Sequence, residues 1–177
     1  MRALVVVESM FGNTKDIAAA VADGLGDTAD VDLIEVNDAP SELDPDVRML
    51  VVGGPTHAFG MSRPATRQDA TRQAGRDPAT AGIGIREWLE RLEPGPQPGV
   101  TASFDTRIAS PRVPGSAARA AQKRLKKLGF RPAMPAESFY VSGTPGPLVD
   151  GELERARRWG ALLGSALRGA PRVPRGR

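Results

Sequence analysis

No cysteine occurs in the 177-residue sequence. This excludes disulfides, thiolate metal sites, cysteine nucleophiles and sulfur-borne redox chemistry, so any redox work would need a bound cofactor. Histidine occurs once, as His57. No His/Asp/Glu cluster has metal-ligand spacing, no Ser/His/Asp set sits on suitable turns, and no Walker-type Gly-Lys-Ser is present, which sets aside metal catalysis, triad hydrolysis and P-loop chemistry. Aromatic residues are few, with two Trp, one Tyr and five Phe. Long apolar runs are missing too: the opening Ala3–Val7 run stops at Glu8, too short for a signal peptide or a spanning helix, so cytoplasmic residence without membrane insertion is expected.

What is present is ordinary globular usage, 40% hydrophobic and 25% charged, in a length suited to one domain. The net charge of +3 is unevenly spread: residues 1–60 hold 3 basic and 11 acidic side chains, a balance of −8, and residues 61–177 carry +11. One end of the molecule is expected to be acidic and the other basic. Residues 1–168 read as the domain and 169–177 as a basic tail, frayed and solvated rather than an arm for nucleic acid.

Apolar runs bounded by turn signals and separated by helical periods point to a parallel α/β fold. Five strands are predicted, at Ala3–Val7, Val31–Val36, Val47–Gly53, Val100–Phe104 and Glu137–Ser142. Amphipathic helices are predicted over Asn13–Leu25, Gly84–Leu92, Ala117–Leu128 and Asp150–Leu167, with Trp88 and Trp159 on core faces. The polar, arginine-rich stretch Met61–Gly82 lacks a period and reads as a long loop.

Two segments carry chemistry. After the first strand, Glu8-Ser9-Met10-Phe11-Gly12-Asn13-Thr14 leads directly into a helix, whose unsatisfied N–H groups and partial positive charge suit a phosphate without a neighbouring lysine or arginine. Simple helix capping by Ser9, Asn13 and Thr14 is the alternative reading of that loop. The third strand ends in Gly53-Gly54-Pro55-Thr56-His57-Ala58-Phe59-Gly60, a Gly-rich loop with two ring side chains at the carboxyl edge, where open α/β sheets bind ligands. One loop suited to a phosphate and a neighbour suited to a flat ring describe a mononucleotide site such as one for FMN.

On these residues the chain resembles the flavodoxin family, whose first loop runs hydroxyl-any-hydroxyl-Gly-any-hydroxyl. Ser9, Gly12 and Thr14 match it, and Phe11 stands where a hydroxyl is usual. The resemblance implies a single-domain flavodoxin-like α/β fold, a five-stranded parallel sheet in the order 2-1-3-4-5 with helices on both faces. It implies FMN as cofactor, its phosphate held by Ser9, Met10, Phe11, Gly12, Asn13 and Thr14. The ring would be bordered by Pro55, Thr56, His57, Ala58, Phe59 and Gly60, with Phe104, Asp105, Thr106 and Arg107 as a second ring-side loop. The tryptophan–tyrosine pair that flavodoxins often stack on the ring does not fall in these loops, so stacking is expected from His57 or Phe59. Arg107 nearby would favour the reduced anionic flavin and a less extreme potential.

His57 reads as a side chain packed over the ring edge, with a general-acid role as the alternative. Arg63, Arg67, Arg72 and Arg76 read either as a cover for an acidic substrate or partner beside the flavin, or as a solvated surface. The implied function is an electron carrier between a reductase and an acceptor protein, with no catalytic side chain. The loops also resemble those of flavodoxin-fold NAD(P)H:quinone oxidoreductases, which would act on a small quinone, and a cofactor-free interaction module is a third reading.

Overall fold

Leu4 and Val6 on one face and Val5 and Val7 on the other make the first strand apolar on both sides, as a parallel sheet covered by helices requires. The computed structural model describes residues 1–57, 59–95 and 99–169, and of Thr80 the backbone only. In it, β1 (Arg2–Val7) lies between β2 (Asp30–Glu35) and β3 (Val47–His57), parallel to both, with Val5 opposite Leu33 and Val51. A two-residue β4 (Gly60–Met61) folds back antiparallel on the end of β3, and β5 (Val100–Ile108) pairs parallel along β3's other edge.

The outer edge of β5 is covered in two pieces, β6 (Arg131–Pro132) against Val100 and Thr101, and β7 (Glu137–Val141) against Phe104 to Ile108. The described sheet therefore has seven strands rather than five, in the path β2-β1-β3-β5-β6 with β4 on β3 and β7 on β5. Taken as the five long strands alone, the order is the expected one. The extra pieces have local causes. Pro132 and Pro135 lack N–H donors and interrupt the edge, and the hairpin to β4 is too short to show a period.

Helices α1 (Asn13–Gly26) and α5 (Glu152–Gly169) cover one face. Ile17, Val21, Trp159 and Leu163 pack there onto Val5, Val51, Phe104 and Phe139. The rings of Phe104, Phe139 and Trp159 meet edge to face with centroids 6.0–6.1 Å apart. On the other face, α3 (Ile85–Arg91) and α4 (Ala117–Lys127) place Ile85, Trp88, Leu89 and Leu125 on Leu4, Val6, Leu50 and Val52. Both tryptophans are core residues, as their spacing implied. Among the described residues no helix is long and apolar enough to cross a membrane.

Glycines let α1 and α5 approach backbone to backbone: a Cβ on Gly160 would meet the Val21 carbonyl oxygen at 2.2 Å. Gly160→Ala is expected to destabilise the fold by about 2 kcal/mol through overpacking, even though alanine favours a helix by about 1 kcal/mol. Urea denaturation measures the difference.

One expectation is corrected. The stretch expected as a loop over Met61–Gly82 contains a further helix, α2 (Pro64–Gln73). Pro64 suits its first position, and the Thr66 hydroxyl accepts the Arg63 N–H at 2.9 Å. Its buried face is Arg67, Ala70 and Thr71, so no apolar stripe announces it. Helix α5 runs to Gly169, the first residue of the expected tail, and the rest of that stretch, 170–177, lies outside the described residues.

Candidate functional site

Parallel strands that all end at one edge deliver their following loops to one place. Here the loops after β1, β3, β5 and β7 meet above the carboxyl ends of the sheet. Two adjoining clefts open there. One, of about 90 Å³, is lined by Met10, Phe11, Asn13 and Thr14, by Pro55 and Thr56, and by Thr106 and Thr144. The other, of about 320 Å³, is lined by Phe59, by Asp69 and Gln73 of α2, and by Val113. Thr56, His57, Arg107, Ile108 and Thr144 border both.

The loop after β1 is shaped from within. Ser9 Oγ accepts the N–H of Gly12 at 3.1 Å and of Lys15 at 3.3 Å, leaving its own hydrogen for a ligand. Gly12 is the α1 N-cap, with φ +94°, a conformation that disfavours any side chain. Asn13 Nδ2 donates to the Pro145 carbonyl at 3.1 Å, tying the start of α1 to the loop after β7. Thr14 and Thr106 share a buried hydrogen bond of 2.7 Å, which fixes the start of α1 to the β5 end. Arg76 donates to the Met10 carbonyl, so the segment after α2 touches this loop as well. The N–H groups of Asn13 and Thr14 at the start of α1 and the Ser9 hydroxyl form a donor set that suits a phosphate monoester.

The hairpin after β3 carries Phe59, 61% exposed and with φ +79°, the sole non-glycine residue with positive φ among those described. Holding a side chain there costs roughly 1–3 kcal/mol, a strain typical of ligand clamps. Its backbone rests on the loop before α4: a Cβ on Gly115 would meet the Phe59 carbonyl oxygen at 1.9 Å. Burial lowers the pKa of the His57 imidazole below its usual value, and the Arg67 charge lowers it further, so the ring is neutral at neutral pH.

The predicted site residues fall in different places. Met10, Phe11, Asn13, Thr14, Pro55, Thr56, His57, Phe59, Thr106 and Arg107 line the clefts; Ser9 and Gly12 shape the first loop; Gly60 is in β4. Ala58 lies outside the described residues. Phe104 and Asp105, expected on a ring-side loop, are instead inside β5 and 1% and 0% exposed. Phe104 faces the aromatic cluster. Asp105 Oδ2 accepts from Thr56 Oγ1, Ser116 Oγ and the Ala118 N–H, at 2.9, 2.5 and 3.0 Å, and so ties the start of α4 to the β3 end. The loop that faces the hairpin is the one after β5, where Arg107 donates to the Val113 carbonyl. Thr144, Asp69, Gln73 and Val113 were missed. The Ser142-Gly-Thr-Pro-Gly turn after a predicted strand was the available signal for Thr144.

Beneath the clefts lies a buried polar network. Arg67, 2% exposed, donates to Ser62 Oγ at 2.9 Å and pairs with Glu87 at 3.0 Å. Ser62 in turn donates to Glu8, whose other oxygen accepts the Ile85 N–H at 2.8 Å. Arg67 is thus no surface cover for a partner but a strut holding α2 and α3 to the β1 end. Burial would raise the Glu87 carboxyl, but hydrogen bonds from Arg67 and the Gly84 N–H outweigh it and hold the group below the usual carboxylate range.

Burial pushes the Glu8 carboxyl up, and Ser62, the Ile85 N–H and Arg67 pull it back without cancelling the rise. The fold therefore holds this proton more tightly than the unfolded chain does. Stability from this site falls as pH rises from the ordinary carboxylate value of 4.5 through the raised native value. Glu8→Gln removes the titration, so the variant is expected to gain on the parent as pH rises through that window. Urea midpoints at several pH values check this.

Comparison with solved structures agrees with the architecture. A flavodoxin from the domain Archaea matches with a TM-score of 0.67 at 22% identity, covering 95% of this chain and 99% of that one. The oxidised flavodoxin 1 from Bacillus cereus matches with a TM-score of 0.67 at 15% identity, over 93% and 98% of the two chains. A flavodiiron core from Synechocystis sp. PCC6803 matches at 0.61 and 17% identity, over 96% of this chain and 36% of that one. The fold is flavodoxin-like. No protein-family model matches the chain, and no curated protein matches its sequence.

Proposed function

We propose that this protein binds FMN across the two clefts and serves as an electron-transfer module. The observation that carries the reading is their continuity: a cleft with phosphate donors at a helix start opens into a second cleft bordered by rings. The larger cleft falls within the roughly 300–1,000 Å³ usual for small-molecule sites.

When bound, FMN supplies the redox chemistry. The chain's own residues bind and orient. Ser9, the Gly12 loop and the α1 N–H groups hold the phosphate. Thr14, Thr106 and Thr144 are hydroxyls placed along the passage between clefts. His57 and Phe59 border the ring, and Thr56 and Arg107 stand where the two clefts meet. Arg107 adds positive charge beside the site, which favours added negative charge there. The partners in this reading are a reductase and an acceptor protein.

An absorbance spectrum of the purified protein, with and without added FMN, tests the reading; NADH or NADPH is then added with a quinone. Bound FMN without nicotinamide oxidation supports the carrier. Rapid oxidation with quinone reduction points to an NAD(P)H:quinone oxidoreductase in which neutral His57, bordering both clefts, would be a proton-transfer group. Failure to take up FMN leaves the cofactor-free interaction module.

A further inference from the structure

The exposed surface around the larger cleft has an apolar centre and a basic rim. Phe59 is 61% exposed and Val113 39%, and both line the cleft mouth. Their loops touch, because the Phe59 carbonyl lies against Gly115. Arg107 lines the cleft and donates to the Val113 carbonyl, and the same two segments carry exposed Arg112, next to Val113, Arg63 at the start of α2 and Arg119 at the start of α4; none of the four makes an ion pair among the described residues. The carboxylate that lines the cleft, Asp69, is paired with Arg72 at 2.8 Å. Asp105 is buried and committed to the start of α4.

Two of these arginines sit where helix electrostatics disfavour a cation. Arg63 is the N-cap of α2, and Arg119 lies in the first turn of α4, its N–H on the Ser116 cap. A positive side chain at a helix start opposes the macrodipole and costs stability. The placement is therefore not explained by folding, and both helix starts add positive potential to the same face. The compensating acids are at the far edge of the sheet, on β2 and the segment after it, where Asp30, Glu35, Asp38, Glu42 and Asp44 are exposed.

We propose that the face centred on Phe59 and Val113 docks an acidic redox protein, one that offers carboxylates to the arginine rim and an apolar patch to Phe59. Its role in electron transfer rests on the FMN reading above; the docking itself does not. Opposite charge around an apolar centre steers encounter and fixes orientation, and such association weakens as salt rises.

The test uses the full chain, labelled with ¹⁵N and titrated with a plant-type [2Fe–2S] ferredoxin as the acidic probe and cytochrome c as the basic one. Amide shifts on ferredoxin addition are expected around Phe59, Arg63, Arg107 and Val113. Affinity should fall about tenfold as salt rises from about 0.02 M to about 0.2 M. The double variant Arg63→Glu, Arg112→Glu is expected to weaken ferredoxin binding at least about tenfold at low salt. Phe59→Ser is expected to weaken it with an unchanged salt dependence. Tighter binding of cytochrome c at this face, ferredoxin shifts confined to the β2 edge, or no ferredoxin binding at low salt would overturn the proposal. So would concentration-dependent self-association that the double variant abolishes, since the occupant would then be the acidic edge of a second copy. Flavin absorbance, read separately, reports on the FMN reading, so the two can fail independently.

Discussion

Arg67→Met is expected to destabilise the fold by about 3–5 kcal/mol, because it removes the cation from a buried pair and leaves the carboxylates behind. Arg67 is 2% exposed, and its two partners join Glu8 and Glu87 into one network. Methionine fills much of the space, so the loss comes from charge rather than from a cavity. The pH dependence identifies the cause. In the parent, Arg67 helps hold the Glu87 carboxyl low, a contribution present above the ordinary carboxylate range and lost as pH falls. The deficit of the variant should therefore shrink as pH drops through that range. Urea denaturation at neutral and acid pH measures both. A deficit that stays constant with pH would mean that Arg67 acts by packing alone.

Asp105→Ala is expected to cost about 3 kcal/mol or more, since two hydroxyls and one N–H lose their shared buried acceptor. Thr56 Oγ1 also accepts the Ala117 N–H at 2.9 Å, so the change loosens the joint between the β3 end, the β5 end and α4. Thr56 borders both clefts, and FMN affinity is expected to fall along with stability. Asp105→Asn keeps the shape and one acceptor oxygen, and it should recover part of both losses. Denaturation midpoints and FMN titration of the two variants make the comparison.

Much of the fold was legible because parallel strands covered on both faces must be continuously apolar, and Leu4–Val7 and Leu50–Val52 are. The helix start after β1 was legible because Ser9, Gly12 and Thr14 combine turn and capping residues just before an amphipathic period. Helix α2 was not, because the residues it buries include Arg67 and Thr71, and a polar inner face leaves no apolar period. The end of β5 was misread for a related reason. Asp105, Thr106 and Arg107 look like a loop in one dimension, yet Asp105 points inward to satisfy the start of a helix that follows it in the chain. The wall formed by Thr144 was missed although the expected strand order already put the last strand beside β5; the turn after that strand was not carried to the same edge as the other loops. Charge asymmetry was visible from composition, but its focus around Phe59 needed the helix starts to be placed in space.

The central claim is that the donor-lined cleft and the ring-bordered cleft hold one ligand. Flavin fluorescence followed as purified, flavin-free protein is added to FMN, and in parallel to riboflavin, tests this most directly. The account predicts quenching that saturates at one FMN per chain, with riboflavin bound at least about tenfold more weakly because the phosphate contacts are lost, a difference of about 1.4 kcal/mol. Equal affinity for the two flavins would contradict the assignment of the first loop to the phosphate. Absence of binding to either would contradict the claim as a whole.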